Sequence, residues 1–106
     1  MNRYFTDRIT AIDAIGGRRV RVTFQDGFTG EVDLGPLPDR GPIFEPLRDE
    51  SIFKQVTVAR GAPLWPGDLD FSPGTLRAWC EAGKLMNDDE TYAWMEQHAG
   101  ASERVA

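Results

Sequence analysis

Cysteine occurs once in the 106 residues, as Cys80, so no intrachain disulfide can form. That usage suits a reducing cytoplasm, where the protein is expected. Histidine also occurs once, as His98. Neither residue has the company that chemistry needs. Cys80 lacks a CxxC partner, and no Ser-His-Asp signature or nucleophile elbow accompanies His98. No GxGxxG or Walker-type loop is present to cradle a phosphate. No apolar run approaches the ~20 residues that span a bilayer, so no membrane association is expected. The start of the chain, residues 1–7, has no apolar h-region and reads as a short leader without a secretory signal. Internal repeats and low-complexity tracts are absent as well.

What is present has ordinary globular proportions. Apolar residues make up 41% and charged residues 27% of a length that fits one domain and can bury a core unaided. Seventeen acidic residues against twelve basic ones leave a net charge of −5. Phosphate neutralisation dominates nucleic-acid affinity, so this balance disfavours nucleic acid as a partner. It suits a basic protein partner, and it serves solubility equally well.

Periodicity places the elements. Residues 8–15 read as a first strand, followed by a tight turn at Gly16-Gly17. Val20, Val22 and Phe24 alternate with Arg19, Arg21 and Thr23, the period of a half-buried strand. Phe28, Gly30, Val32 and Leu34 continue the apolar face. A two-residue Asp26-Gly27 loop would set Phe24 opposite Thr29 and mix core with solvent. A three-residue Gln25-Asp26-Gly27 loop instead pairs Phe24 with Phe28, Val22 with Gly30 and Val20 with Val32. It also sets Arg21 against Glu31 and Arg19 against Asp33, with Gly27 in the left-handed position. This register is the expected one, and it makes the Arg19/Arg21 pair part of a charge-matched, solvated face.

Pro36, Pro38 and Pro42 are expected to break regular structure over 35–42, with room for one short turn at Ile43–Leu47. Asp49 can cap a single helical turn through Phe53. Val56, Val58 and Leu64 read as further strand positions, interrupted by Gly61 and Pro63. Ser72-Pro73 starts a helix, Leu76, Trp79 and Cys80 form its buried stripe, and Gly83 stops it. A second helix begins at Asn87, with Glu90 completing a capping box, and runs to about His98. The tail from Gly100 is expected to fray.

The ordered series Phe24, Asp26-Gly27, Val32-Asp33-Leu34, Phe44, Leu47, Phe53, Val56, Trp65-Pro66, Asp70, Pro73 and Leu76 resembles the small bacterial proteins known as domain of unknown function 2442. The likeness covers roughly residues 8–83, most of a single-domain chain. It implies a small antiparallel sheet with one or two helices and no established activity. Some members carry an additional C-terminal helix-turn-helix domain. Others are encoded beside a second small protein, an arrangement similar to toxin–antitoxin pairs. Here 23 residues follow Gly83, room for one capped helix.

The most distinctive stretch is Trp65-Pro66-Gly67-Asp68-Leu69-Asp70. It could be a rigid loop presenting Trp65, Asp68 and Asp70 to a ligand or partner. It could equally be a structural turn, with Trp65 on the sheet and Asp70 fastening the loop to the Ser72 helix. Asp68 and Asp70 alone offer too few oxygens for calcium. Tyr92, Trp94 and Met95 on the last helix suit either a partner surface or docking on the protein itself.

The expected fold is α+β: an antiparallel sheet of about four strands within residues 1–83, then the C-terminal helix and tail of 84–106 in the same domain. The expected function is a non-catalytic protein-binding module, in one form the antitoxin-like member of a two-protein pair. Its partner would be another protein or a homo-oligomer mate. The alternatives are a small-ligand binder or enzyme using the Trp65–Asp70 loop, and a nucleic-acid-binding accessory protein using Arg3, Arg8, Arg18, Arg19 and Arg21. Catalytic residues, cofactors and metals are not expected.

Overall fold

The computed structural model describes residue 4 and residues 7–104, with the backbone alone from residue 99 onward. Strand β1 (Ile9–Gly16) pairs antiparallel with β2 (Arg19–Phe24), which pairs with β3 (Thr29–Asp33). Ile9 and Ile12 are both buried, yet three positions apart they would face opposite sides of a regular strand. A bulge resolves this. Ile9 pairs with Phe24 and Ala11 with Thr23, so Thr10 is the extra residue and Ile12 returns to the core side opposite Val22. The first turn falls on Gly17-Arg18 rather than Gly16-Gly17, since Gly16 still pairs with Arg19.

The β2–β3 hairpin takes the three-residue loop. Val20 pairs with Val32, Val22 with Gly30, and Arg21 with Glu31. The Phe24 amide donates to the Phe28 carbonyl at 2.8 Å, and Gly27 sits at φ 94° as the turn demands.

The proline-rich segment is more regular than expected. It forms 3-10 turns at Leu37–Arg40 and Pro42–Arg48, joined by i→i−3 bonds such as Phe44 to Gly41 at 3.1 Å. Proline in the first turn lacks only an N–H that would have no partner there, and its fixed φ fits the helix. Helix α1 (Glu50–Phe53) follows, capped by Asp49, whose carboxylate accepts from the Ser51 amide at 2.9 Å.

A second three-stranded sheet then forms from β4 (Thr57–Ala59), β5 (Ala62–Trp65) and β6 (Leu69–Asp70). The expectation of about four strands is thus corrected, among the described residues, to six in two antiparallel sheets within the same α+β class. Arg60 and Gly61, at φ 54° and 79°, make the two-residue hairpin turn. Pro63 is tolerated because Val58, opposite it, lies one step beyond the pair closing that turn. The ladder alternates there to a pair that exchanges no N–H bond, and β6 begins pairing only at Leu64.

Ser72 caps α2 (Pro73–Ala82), and Gly83 ends it in the left-handed conformation. Asn87 and Glu90 exchange bonds of 2.8 and 3.1 Å, a reciprocal capping box for α3 (Asp88–Arg104). This helix runs past His98 and through Gly100, because a single glycine weakens a helix by only about 1 kcal/mol. The expected fray is therefore corrected for the backbone of 100–104, while 105–106 lie outside the described residues.

The core lies between the Val20, Val22, Phe24 and Val32 face of the first sheet and α2. At Gly30 an added Cβ would sit 2.9 Å from the Cys80 Cβ, so the missing side chain is what lets α2 approach. Within residues 1–7, read from sequence as a leader, Tyr4 is a core residue. Its carbonyl oxygen would lie 2.1 Å from a Cβ at position 74. Gly74→Ala should therefore destabilise the fold by about 1–3 kcal/mol through overpacking. Helix propensity alone predicts a gain of up to about 1 kcal/mol. Urea denaturation of the variant checks the sign.

Candidate functional site

The Trp65–Asp70 loop is divided by the fold. Trp65 is 1% exposed, and its indole N–H donates to the Phe53 carbonyl at 2.9 Å. Trp65 is thus a core residue, as suits a large ring with a satisfied N–H, and it also lies at the base of an open depression of about 240 Å³ with Gln55, Thr57, Leu64, Pro66, Gly67 and Asp68. Gly67 and Asp68 take the positive-φ positions of the β5–β6 turn, at 89° and 59°. Asp68 and Asp70 are exposed and border an open depression with Ala59, Arg60, Ala62 and Leu64. Among the described residues, no group of three or more His, Cys, Asp or Glu is placed to hold a metal.

The last helix docks on its own domain. Thr91 and Met95 are buried, and the Thr91 hydroxyl accepts the Trp79 indole N–H at 2.9 Å. Met95 is thus corrected from a partner contact to a core residue. Trp94 is half-buried, donating to Glu81 at 3.1 Å and stacking on the His98 ring at a centroid distance of 3.9 Å. Of the three, Tyr92 alone faces solvent, 65% exposed. His98 is tied through Nδ1 to the Trp94 carbonyl at 2.7 Å. Cys80 is buried in the α2 interface, and burial pushes its thiol up to about 12, far from a reactive thiolate.

Sequence reasoning missed a buried charged hub. The Arg77 side chain is 8% exposed. Its guanidinium bonds Glu81 at 2.7 Å and Asp26 at 3.0 Å, and Asp7 lies 3.9 Å away. It also lies over the rings of Phe28 and Phe24, 4.2 and 5.0 Å from their centroids. Glu81 further accepts the Tyr4 hydroxyl and the Trp94 indole. The one local signal was the i, i+4 spacing of Arg77 and Glu81, and nothing local pointed to Asp26. The bond to Arg77, with help from the Phe28 amide, holds the Asp26 carboxyl below its ordinary value.

A cleft also lay outside the sequence-derived sites. Leu37 and Trp79 contribute its buried lining, half-buried Phe44, Phe71 and Thr75 complete the walls, and Arg40 and Asp88 border it. It encloses about 180 Å³. Phe71 meets Trp79 at 5.4 Å and Phe44 edge-on at 6.4 Å. Arg40 lies 5.6 Å from the Trp79 ring, held by the Met86 carbonyl at 2.7 Å and Asp88 at 3.0 Å. Ile43, next to Phe44 in the chain, is 65% exposed. Phe44 was quoted within the family pattern, but no spacing signal joins residues 37–44 to residues 71–88.

Several other arginines have partners within the protein. Arg8 donates to the Arg60 carbonyl at 2.8 Å, and Arg18 to the carbonyls of Leu47 and Arg48. Arg19 and Arg21 both reach Glu31, at 3.6 and 3.0 Å, and Arg48 holds Asp39 and Glu45. Arg3, also considered for nucleic acid, lies outside the described residues. Among those residues, no helix is long and apolar enough to cross a membrane.

The model of the family described as "Protein of unknown function (DUF2442)" matches residues 9–82. Among solved structures, the chain is similar to the crystal structure of "Putative DNA Binding Protein NE0471" from Nitrosomonas europaea. The two are 31% identical with a TM-score of 0.68, over 92% of this chain and 64% of that one. The match therefore spans less than two thirds of that protein's length. No curated protein matches the chain.

Arg77→Met should destabilise the fold by about 2–3 kcal/mol, because it leaves the largely buried Glu81 without its cation, while the exposed Asp26 regains water. Chemical denaturation reads the loss, and Arg77→Lys should fall between, keeping the charge without the planar fork. Asp26 adds a pH signature. Its folded pKa is lowered, so its contribution is present above the unfolded carboxyl value near ~3.9 and is lost as pH falls through the folded one. Thermal melts from pH 6 to pH 2 should show a smaller acid-induced drop in Asp26→Asn than in wild type below about pH 4.

Proposed function

This chain belongs to the DUF2442 family of proteins of unknown function, which offers no activity to transfer, and we propose from its surface that it is a non-catalytic protein-binding module. The observation that carries this reading is the half-open aromatic cleft with exposed Ile43 beside Phe44. Protein interfaces concentrate their energy where an anchor side chain fills a preformed, desolvated pocket. The antitoxin-like member of a two-protein pair is the specific form of this role and requires one stoichiometric second protein. The single buried cysteine suits the reducing cytoplasm in which we place it.

The name of the Nitrosomonas europaea protein supplies a second reading, nucleic-acid binding. The charge pattern supports it less well. A phosphate backbone would have to compete with internal carbonyls and carboxylates for Arg8, Arg18, Arg19, Arg21, Arg40 and Arg48. It would do so against a net charge of −5.

Tagged wild-type protein and an Ile43→Asp variant, purified natively from source cells, separate these readings. The module reading expects one stoichiometric protein with the wild type and a weakened complex with the variant. No bound protein across growth conditions would overturn it. In a low-salt mobility-shift assay, where electrostatic binding is strongest, no retardation of duplex DNA is expected. Clear retardation would move the assignment to nucleic acid.

A further inference from the structure

We infer that the cleft between the Pro42–Arg48 turn and the start of α3 receives one bulky apolar side chain from a partner peptide whose flanking residues are basic. This rests on the protein-binding reading and names the chemistry of the partner.

Size decides against a cofactor or drug-sized ligand. Such molecules occupy pockets of about 300–1,000 Å³. The cleft encloses about 180 Å³. An apolar cavity of about 150 Å³ holds one benzene-sized ring. One phenylalanine or leucine side chain is therefore the matching occupant. The lining suits it, with Leu37 and Trp79 buried and Phe44 and Phe71 half-buried in edge-on contact. These rings are already fixed against each other, so little ordering remains when a guest enters.

Charge decides what flanks the anchor. The bordering segments 39–48 and 84–90 carry five carboxylates (Asp39, Glu45, Asp88, Asp89, Glu90) against three cations (Arg40, Arg48, Lys84). Arg40 is paired with Asp88 and Arg48 with Asp39 and Glu45, so the net surplus of about two negative charges is carried chiefly by the start of α3. Asp88 is 86% exposed despite its bond, and Asp89 and Glu90 follow it, exposed, in the first turn of α3. Lysine or arginine beside the anchor would meet this surplus. A second copy of the chain, itself acidic, would bring no cationic surplus to this rim.

The test uses the full-length protein and three synthetic nonapeptides: one phenylalanine among lysines and serines, the same peptide with serine for phenylalanine, and one phenylalanine among glutamates and serines. Amide shift changes by NMR are the readout. The first peptide should shift Phe44, Thr75 and Trp79 saturably, with affinity at least tenfold above the other two and falling as salt rises. Thr75→Trp should fill the cleft and remove the response, and the exposed Asp89→Lys change should weaken it severalfold without touching the core. No shift at these residues, or equal shifts from the glutamate peptide, would overturn the assignment. If Thr75→Trp still retains a stoichiometric protein in native purification, the cleft assignment fails and the module reading survives. Loss of both peptide and protein partner in wild type would remove the two together.

Discussion

A guanidinium taken out of water must recover its lost hydration from neighbours, and Arg77 recovers it from three directions. Glu81 lies one turn along α2, Asp26 comes from the tip of the β2–β3 hairpin, and the faces of Phe24 and Phe28 cover the cation. The effective penalty for burying such an ion is several kcal/mol, so losing the largely buried Glu81 is strongly disfavoured. The bond to Asp26 and the faces of Phe24 and Phe28 join this group on α2 to the first sheet. Glu81 extends the constraint by accepting the Tyr4 hydroxyl and the Trp94 indole, tying the N-terminal segment and α3 to the same point. Gly30 and Gly74 are the steric counterpart. They supply the empty space that lets Cys80 and the Tyr4 backbone reach their places.

The other half of the molecule is organised by rings. Phe53, Trp65, Phe71 and Trp79 follow one another at centroid distances of 5.6, 5.8 and 5.4 Å, from α1 through the second sheet to α2. Trp65 is an interior member of that series, which is why it is lost to the surface. Phe71, half-buried, also makes an edge contact to half-buried Phe44. The cleft is thus an unfilled end of the core, walled by buried Leu37 and Trp79 and by half-buried Phe44, Phe71 and Thr75.

Electrostatics shapes the surface. The arginines largely serve the protein itself, holding carbonyls at turn and helix ends or charge-matching a strand face. What remains toward solvent is mostly carboxylate. A net charge of −5 gives the molecule a field that acts chiefly on encounter rates and on the choice among partners.

Local chemistry was legible in the sequence because its causes lie within a few residues. Alternation and charge matching selected the three-residue turn at Gln25-Asp26-Gly27. Ser72 with Pro73, Gly83, and Asn87 with Glu90 marked helix ends through bonds that close within one turn. The bulge at Thr10 was not legible, because its cause is the need of Ile9 and Ile12 to meet one core. The division into two sheets, the burial of Trp65, Tyr4 and Met95, and the Arg77 hub depend on partners up to 77 positions apart. The cleft joins residues 37–44 to 71–88 and exists only once both have packed. The sequence by itself determined the α+β class, the hairpin register, the helix caps and the acidic balance, since short-range sterics, hydrogen bonds and composition suffice for these. Tertiary structure alone decided which rings are core and which line a surface, because burial depends on long-range packing that no local pattern encodes.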